Sequence, residues 1–175
     1  MMTRIAIDMD DVMAETSLKI VQELNKKLKT TYQIPDLLTD TNLRAQFYED
    51  YKHNNSFLWE KGFFEDIQVK PMAQEVIKQL QNHYEVFIVS AATEFPNSLS
   101  EKMRWLEKYF PFINWTHIVF CGHKYMIQAD YLIDDHEKNL TTFPGTPILF
   151  SAPHNLQLTG YERVDSWEQV AAKFL

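Results

Sequence analysis

The chain has 175 residues, 45% of them hydrophobic and 23% charged, which is typical of one globular domain or of a domain carrying a modest insertion. Its formal net charge of −7 argues against a nucleic-acid polymer as partner, and no apolar run is long enough to span a bilayer. A single cysteine, Cys121, excludes an internal disulfide, so we expect a cytoplasmic protein with no membrane partner.

Short apolar runs, several of them containing β-branched residues, recur along the chain. Continuous runs of this kind predict strands that are buried on both faces of a parallel sheet. They cover residues 5–7, 86–89, 118–120, 131–133 and 147–150, and a weaker sixth run covers residues 162–164.

Helical patterns lie between most of these runs. Val76 and Leu80 belong to the apolar stripe of one predicted helix. Ser98 and Glu101 have the spacing of a capping box, which predicts a helix from Ser98 to about Phe110. A last helix is predicted over residues 167–174. This alternation of strands and helices predicts an α/β fold, with an open parallel sheet and right-handed crossovers.

The stretch after the first strand departs from this alternation. Residues 16–69 have helical pattern, including a stripe at Ile20, Leu24 and Leu28, but no convincing strand. A crossover between parallel strands needs only a dozen or so residues, so a plain crossover, made long, is the alternative that we favour less. We therefore divide the chain into a core, residues 1–15 and 70–175, and a small helical cap, residues 16–69.

Reactive side chains follow four of the predicted strands. Asp8 and Asp10 follow the first, Ser90 the second and Lys124 the third, and the acid pair Asp134 and Asp135 ends the fourth. Ligands of open α/β sheets bind beyond the carboxyl ends of the strands, so we expect these groups to meet at one edge. Each residue alone is more often a helix cap or a solvated loop residue.

As a set, these groups suit phosphoryl transfer with Mg²⁺. Asp8 is the predicted nucleophile, which would form an aspartyl-phosphate, and Asp10 the predicted acid and base. Ser90 and Lys124 would hold the non-bridging phosphate oxygens. Mg²⁺ would relieve the repulsion between carboxylates, with one acid of the final pair coordinating it directly and the other standing behind.

The ordered residues Asp8-Met9-Asp10-Asp11-Val12, Ser90, Lys124 and Asp134-Asp135 resemble the four motifs of the haloacid dehalogenase superfamily. More closely, the chain resembles the cytosolic-type 5'(3')-deoxyribonucleotidases. The stretches that carry this resemblance are 5–10, 62–66, 101–105, 132–135 and 154–155. They cover most of the core, whereas residues 16–59 match poorly.

The resemblance implies a Rossmann-like core with a small helical cap inserted after the first strand. It implies Mg²⁺ held by Asp8, the backbone carbonyl of Asp10 and one of the final acids, with Asp135 favoured over Asp134. It also implies a small phosphomonoester substrate, a deoxyribonucleoside monophosphate whose base is held by cap aromatics. Monomer and homodimer both stay open.

Departures from the family pattern affect the expected recognition of the base. They are Asp11, where the family often has Gly or Glu, Thr16 in place of an aromatic residue, Ala91 in place of a hydroxyl, and Gly122-His123 in place of basic residues.

Three alternatives to a nucleotidase stay open. The first is a phosphatase of the same superfamily that acts on another small phosphomonoester, such as a sugar phosphate. The second is a response-regulator receiver, although the order of the motifs disfavours it. The third is a binding module of the same fold without turnover.

Overall fold

The computed structural model describes residues 2–175, which form one parallel sheet with helices on both faces. The strands lie in the order β3-β2-β1-β4-β5-β6, and every neighbouring pair is parallel. They are β1 (Arg4–Ile7), β2 (Glu85–Ser90), β3 (Ile118–Phe120), β4 (Tyr131–Asp134), β5 (Thr146–Phe150) and β6 (Glu162–Val164). The structure thus confirms all six predicted strands.

Two hydrophobic clusters cover the two faces of the sheet. Ile5 and Ile7 of β1 point into the larger cluster, and Ala6, between them, points into the smaller one. Because side chains of a strand alternate between faces, a central strand covered on both sides reads as a continuous apolar run. β1 and β4 therefore lie at the centre of the sheet and carry Asp8 and Asp134 at their carboxyl ends.

Seven α-helices and three short 3-10 helices connect the strands in the described part of the chain. The α-helices are α1 (Thr16–Leu28), α2 (Ile34–Thr39), α3 (Thr41–Asn54), α4 (Ala73–Leu80), α5 (Ser98–Tyr109), α6 (Glu137–Leu140) and α7 (Trp167–Phe174). The 3-10 helices are Asn55–Trp59, Trp115–His117 and Lys124–Met126. None of the helices between residues 2 and 175 combines the length and apolar character that a bilayer crossing needs.

The segment between β1 and α4 is helical, as its sequence pattern predicts. It contains α1, α2, α3 and the first 3-10 helix, and none of its residues lies in a strand of the sheet. An isolated bridge pairs Ala14 with Val69, so the chain leaves and re-enters the core at one place. The division into a core and a cap over residues 16–69 stays a prediction.

The predicted capping box at the start of α5 is wrong, although the helix itself is confirmed. Asn97 precedes the helix, and its side chain makes no capping hydrogen bond. Glu101, instead of reaching back to the helix start, is buried and accepts hydrogen bonds from Gly62 N at 2.7 Å and Phe64 N at 3.0 Å. Gly62 is half-buried and Phe64 is buried, so their amides compete successfully for the carboxylate.

Candidate active site

The carboxyl edge of the sheet brings the predicted residues together. Asp8 follows β1, Ser90 and Asp134 end β2 and β4, and Lys124 opens the 3-10 helix after β3. The Lys124 ammonium is buried and donates to Asp8 and, at 2.5 Å, to Asp134 Oδ2. The predicted convergence at one edge is therefore what the coordinates show, whereas the chemical roles of these residues stay predictions.

Negative charge exceeds positive charge around Lys124. Burial alone would lower the pKa of Lys124, but the carboxylates of Asp8 and Asp134 raise it. Burial raises the pKa of Asp8 well above its usual value, and the charges of Asp134, Asp135 and Asp10 add to this against the lowering effect of Lys124. One ammonium thus faces several buried carboxylates, and a second positive charge would be stabilised here.

Asp134 and Asp135 differ in how fully their oxygens are used. Asp134 accepts from Lys124, from the Asn139 amide at 3.0 and 3.1 Å and from His136 N at 2.8 Å. Asp135 Oδ2 lies 3.2 Å from His154 Nε2, but its Oδ1 is buried and has no hydrogen-bond partner among residues 2–175. An unsatisfied buried oxygen is costly, so this atom is the one that a cation would satisfy.

Carboxylate oxygens of Asp8, Asp134 and Asp135 lie within 4.8 Å of one another. Such a group of hard oxygen donors suits a divalent ion such as Mg²⁺. Lys124, Asn139 and His136 N occupy both oxygens of Asp134, whereas Asp135 Oδ1 has no partner in the described part of the chain. Which of these acids would hold an ion directly stays a prediction. Asn155 supports this side of the site by donating to Asp135 O and Phe150 O, both at 2.8 Å.

Asp10 is less buried than Asp8 and contacts Lys102 instead of Lys124. One carboxylate oxygen accepts from Thr16 Oγ1 at 3.0 Å, and the other contacts the ammonium of Lys102. Lys102 is 4% exposed, donates to Ser90 Oγ at 3.2 Å and lies 4.9 Å from the centre of the Phe64 ring. The ammonium of Lys102 therefore contacts both Asp10 and Ser90, the two groups that would face a phosphoryl substrate.

Lys102 lies in the stretch 101–105 that carries the family resemblance, but no motif in the sequence predicts a role for it. A signal for it exists in the helix pattern, because Ser98, Lys102, Trp105 and Leu106 all lie on the buried face of α5. A lysine within a buried stripe needs a partner with negative charge, and only the folded chain identifies that partner as Asp10.

Asp11 is a further buried acid, next to Asp10 in the chain. Its backbone is left-handed, with φ of 54°, a conformation that Asp tolerates better than most residues. Its carboxylate accepts from Ser17 N at 2.7 Å and Ser17 Oγ at 2.6 Å. Burial, with the charge of Asp135 adding to it, raises the pKa of Asp11 to about 6. Asp11 thus anchors the first turn of α1 to the catalytic edge.

A cavity of about 310 Å³ opens beside these carboxylates. It lies between the helical segment and the core, and aromatic rings form much of its wall. The aromatic and other apolar residues that line it are Ile20, Phe47, Tyr48, Tyr51, Leu58, Phe64 and Phe95. Its polar lining is Asp10, Asp11, Thr16, Ser17, Glu94, Asp135, His136, Lys138 and His154. The lining of the cavity is therefore partly acidic and partly aromatic.

The fold resembles that of solved hydrolases of the haloacid dehalogenase superfamily. A solved structure of a hydrolase of that superfamily from Ehrlichia chaffeensis superposes with a TM-score of 0.63 at 12% identity, covering 99% of this chain and 96% of that one. The chain belongs to the family described as "5' nucleotidase, deoxy (Pyrimidine), cytosolic type C protein", whose family model matches residues 1–175. It is accordingly a phosphoric monoester hydrolase of the nucleotidase class.

Two relatives match over nearly their whole length. A protein of Bacillus subtilis (strain 168) named 5'(3')-deoxyribonucleotidase is 38% identical over 174 residues, covering 98% of this chain and 98% of the relative. A provisionally named 5'(3')-deoxyribonucleotidase of Staphylococcus aureus (strain MSSA476) is 43% identical over 176 residues, covering 99% and 97%. The resemblance drawn from the motifs is thereby confirmed.

Proposed function

We propose that this chain is a Mg²⁺-dependent 5'(3')-deoxyribonucleotidase that acts through an aspartyl-phosphate on Asp8. One observation carries the proposal. Asp135, whose Oδ1 is buried and unpartnered among residues 2–175, groups with Asp8 and Asp134 at the acidic end of a cavity large enough for a small ligand. The family match and the names of the two relatives support the nucleotide class of substrate.

The donor set fits Mg²⁺. Asp8, the backbone carbonyl of Asp10 and Asp135 would hold the ion, with Asp134 behind them through its contact with Lys124. When bound, Mg²⁺ supplies positive charge that stabilises the ionised carboxylates and the phosphate oxygens. Sodium or potassium would supply less charge to the same oxygens, so we propose a divalent ion.

The protein groups divide the work of two displacements at phosphorus. Asp8 attacks phosphorus, forming the acyl-phosphate bond as the bond to the leaving oxygen breaks. Asp10 gives its proton to that oxygen and then takes a proton from water, which attacks phosphorus and releases Asp8 and inorganic phosphate. Lys124 and Ser90 hold the non-bridging oxygens throughout. Lys102 donates to Ser90 Oγ, which leaves the Ser90 hydroxyl hydrogen free to donate to phosphate.

The cavity favours a nucleoside as the leaving group. Tyr48 and Tyr51 of α3, with Phe64 and Phe95 opposite, offer apolar ring surface against which a base can pack. The cysteine content places no demand for an oxidising compartment, and we propose that the reaction takes place in the cytoplasm.

A substrate panel tests the proposal. With Mg²⁺, release of phosphate from dUMP or dTMP should exceed release from a sugar phosphate by at least tenfold in kcat/KM. A preference for the sugar phosphate would support the alternative, a small-molecule phosphatase of the same superfamily. Absence of phosphate release from every compound, including a generic aryl phosphate, would contradict an enzymatic function.

Two substitutions test the mechanism. Asp8→Asn should abolish turnover, and Asp10→Asn should lower kcat by about 10²–10⁴-fold for each proton transfer that it catalyses. The matched control is Asp130→Asn, because Asp130 is exposed and lies before β4, at the opposite edge of the sheet. Wild-type rates in pure Asp8→Asn protein would show that the nucleophile is assigned wrongly.

A further inference from the structure

A second group of metal-binding side chains lies on the outer side of Asp135. His154 Nε2 is 3.2 Å and His136 Nε2 is 3.7 Å from the same oxygen, Asp135 Oδ2. The two imidazole rings are stacked, with centroids 4.4 Å apart and planes 23° apart. Two imidazole nitrogens and one carboxylate oxygen thus converge from residues on two different loops.

The spacing of these three atoms suits a small metal ion. One ligand atom from each residue lies within 4.8 Å of the other two. Tetrahedral zinc with bonds of roughly 2.0–2.1 Å places its ligand atoms about 3.3–3.4 Å apart, close to the two measured separations. Small rotations of the side chains therefore suffice to bring all three atoms into bonding distance.

The donor chemistry separates this group from the proposed Mg²⁺ site. Mg²⁺ prefers oxygen ligands, whereas a pair of imidazoles with one carboxylate favours zinc, nickel or copper. The group also faces the cavity, so a fourth position would be open to water or substrate. Asp11 adds negative charge near His154, which favours a cation further.

We propose that Asp135, His136 and His154 form a binding site for a transition metal ion of the zinc type. Asp135 would bridge this site and the Mg²⁺ site, offering Oδ2 to one and the buried Oδ1 to the other. Zinc bound here would draw charge from Asp135 and alter one wall of the cavity. The site would therefore make the hydrolase sensitive to inhibition by zinc at constant Mg²⁺.

The competing explanation is that His154 only donates a hydrogen bond to Asp135 while His136 stacks on it. His136 distinguishes the two explanations because its side chain is half-exposed and its Nε2, 3.7 Å from Asp135 Oδ2, is too far away for a hydrogen bond. A purely orienting role would not require His136. A zinc site would lose one of its three protein ligands without it.

Calorimetric titration of zinc-free protein with zinc, in excess Mg²⁺, tests the site. Wild-type protein should bind one zinc ion, and His136→Gln should bind it at least tenfold more weakly. His83→Gln is the matched control, since His83 is exposed and precedes β2 at the opposite edge of the sheet. Equal affinity in wild-type protein and His136→Gln would overturn the proposal.

Cobalt provides a readout that is independent of activity. Co²⁺ added to wild-type protein in excess Mg²⁺ should give the visible absorption of a tetrahedral site, and His136→Gln and His154→Gln should both lose it. Wild-type protein without this absorption would contradict the proposed coordination. Mg²⁺ binding and dUMP hydrolysis, measured on the same zinc-free protein, test the proposed function separately, so either proposal can fail while the other stands.

Discussion

Lys102 is a buried lysine that pairs with Asp10, the proposed acid and base. Its ammonium is buried, contacts Asp10 and Ser90, and lies over the face of the Phe64 ring. Burying an ammonium is costly unless a carboxylate pairs with it, so Lys102 and Asp10 stabilise each other. We infer that Lys102 fixes the orientation of Asp10 toward the leaving oxygen.

Replacing Lys102 should therefore affect catalysis more than substrate affinity. Lys102→Met should lower kcat for dUMP by about 10²–10³-fold, the usual loss when one well-placed donor is removed from an active site. KM should change far less. Lys108→Met on the same helix is the control, because Lys108 is exposed. Thermal unfolding of each variant shows whether the fold is retained, and an unchanged kcat in folded Lys102→Met would refute the role.

The convergence at the sheet edge could be predicted from the sequence, because each group directly follows an apolar run. Asp8, Ser90 and Asp134 need only the polarity of parallel strands to place them together. Lys102 and Asp11 could not be placed in the same way. Their partners, Asp10 and Ser17, depend on how α5 and α1 pack on the sheet, and periodicity carries no such information.

At the scale of elements, α5 joins the catalytic core to the turn that carries Phe64. Glu101 accepts from two amides of that turn, and Trp105 Nε1 donates to Ile67 O at 2.7 Å. Arg104 adds an exposed contact with Glu65 at 2.8 Å. Since Phe64 lines the cavity, α5 holds one wall of the cavity as well as Lys102.

Glu101→Gln should weaken this connection measurably. The substitution keeps one acceptor oxygen but turns an amide group toward the second backbone N–H, which leaves that donor unsatisfied. The free energy of unfolding should fall by about 1–3 kcal/mol. Urea denaturation measures it, with Glu107→Gln, an exposed position on α5, as the control. Equal losses in both variants would indicate a general effect of charge on the helix.

Tyr32 performs a similar function within the helical segment. Its hydroxyl donates to Asp50 of α3 at 2.5 Å, and its N–H donates to Asn25 of α1 at 2.8 Å. Burial, with the hydrogen bond to Asp50 adding to it, raises the pKa of Tyr32 to about 12. This tyrosine therefore links the loop before α2 to α1 and to α3.

The raised pKa gives the helical segment a defined sensitivity to alkali. An unfolded tyrosine loses its proton near pH 10, so between about pH 10 and 12 the folded state binds more protons and stability falls as pH rises. Tyr32→Phe should be less stable than wild type at pH 8, and the difference should shrink across that window. Thermal unfolding from pH 8 to 11 measures it. A constant difference would mean that Tyr32 ionises equally in both states.

The strands were easier to predict than the helical segment, for a physical reason. A strand segment buried on both faces must be apolar throughout, so the pattern is visible even in the three residues Ile5–Ile7. α3 has fourteen residues but only Phe47 among them is fully buried, because much of the helix faces solvent or the cavity. A cavity wall needs no regular stripe, and its sequence therefore lacks one.

At the scale of the whole molecule, part of the excess of negative charge is concentrated at the active site. The chain carries a net charge of −7, and Asp8, Asp11, Asp134 and Asp135 are all buried at one edge of the sheet. Lys124 offsets only part of this charge. The metal-free fold therefore contains an electrostatic penalty that a bound cation removes, so occupancy of the site and stability of the fold are coupled.

Addition of Mg²⁺ should raise the stability of the wild-type protein, by about 2.7 kcal/mol at a hundredfold excess over its Kd. Asp135→Asn should lose most of this response to Mg²⁺. Without Mg²⁺ the variant should be no more stable than wild type, because the effect of burial is outweighed by the contact of Oδ2 with His154 and by nearby positive charge, which hold the pKa of Asp135 below its usual value. With Mg²⁺ it should gain little, because a direct ligand is missing.

Thermal unfolding of wild type, Asp135→Asn and Asp130→Asn, each with and without Mg²⁺, measures both effects in one experiment. Asp130 is exposed and distant from the site, so its variant should follow the wild type in both conditions. If Mg²⁺ stabilised Asp135→Asn as strongly as wild type, Asp134 rather than Asp135 would be the ligand, and Lys124 would have to release Asp134 when the ion binds. Stabilisation of wild type and Asp130→Asn, but not of Asp135→Asn, would instead assign the ion to Asp135, whose Oδ1 is buried without a partner among residues 2–175.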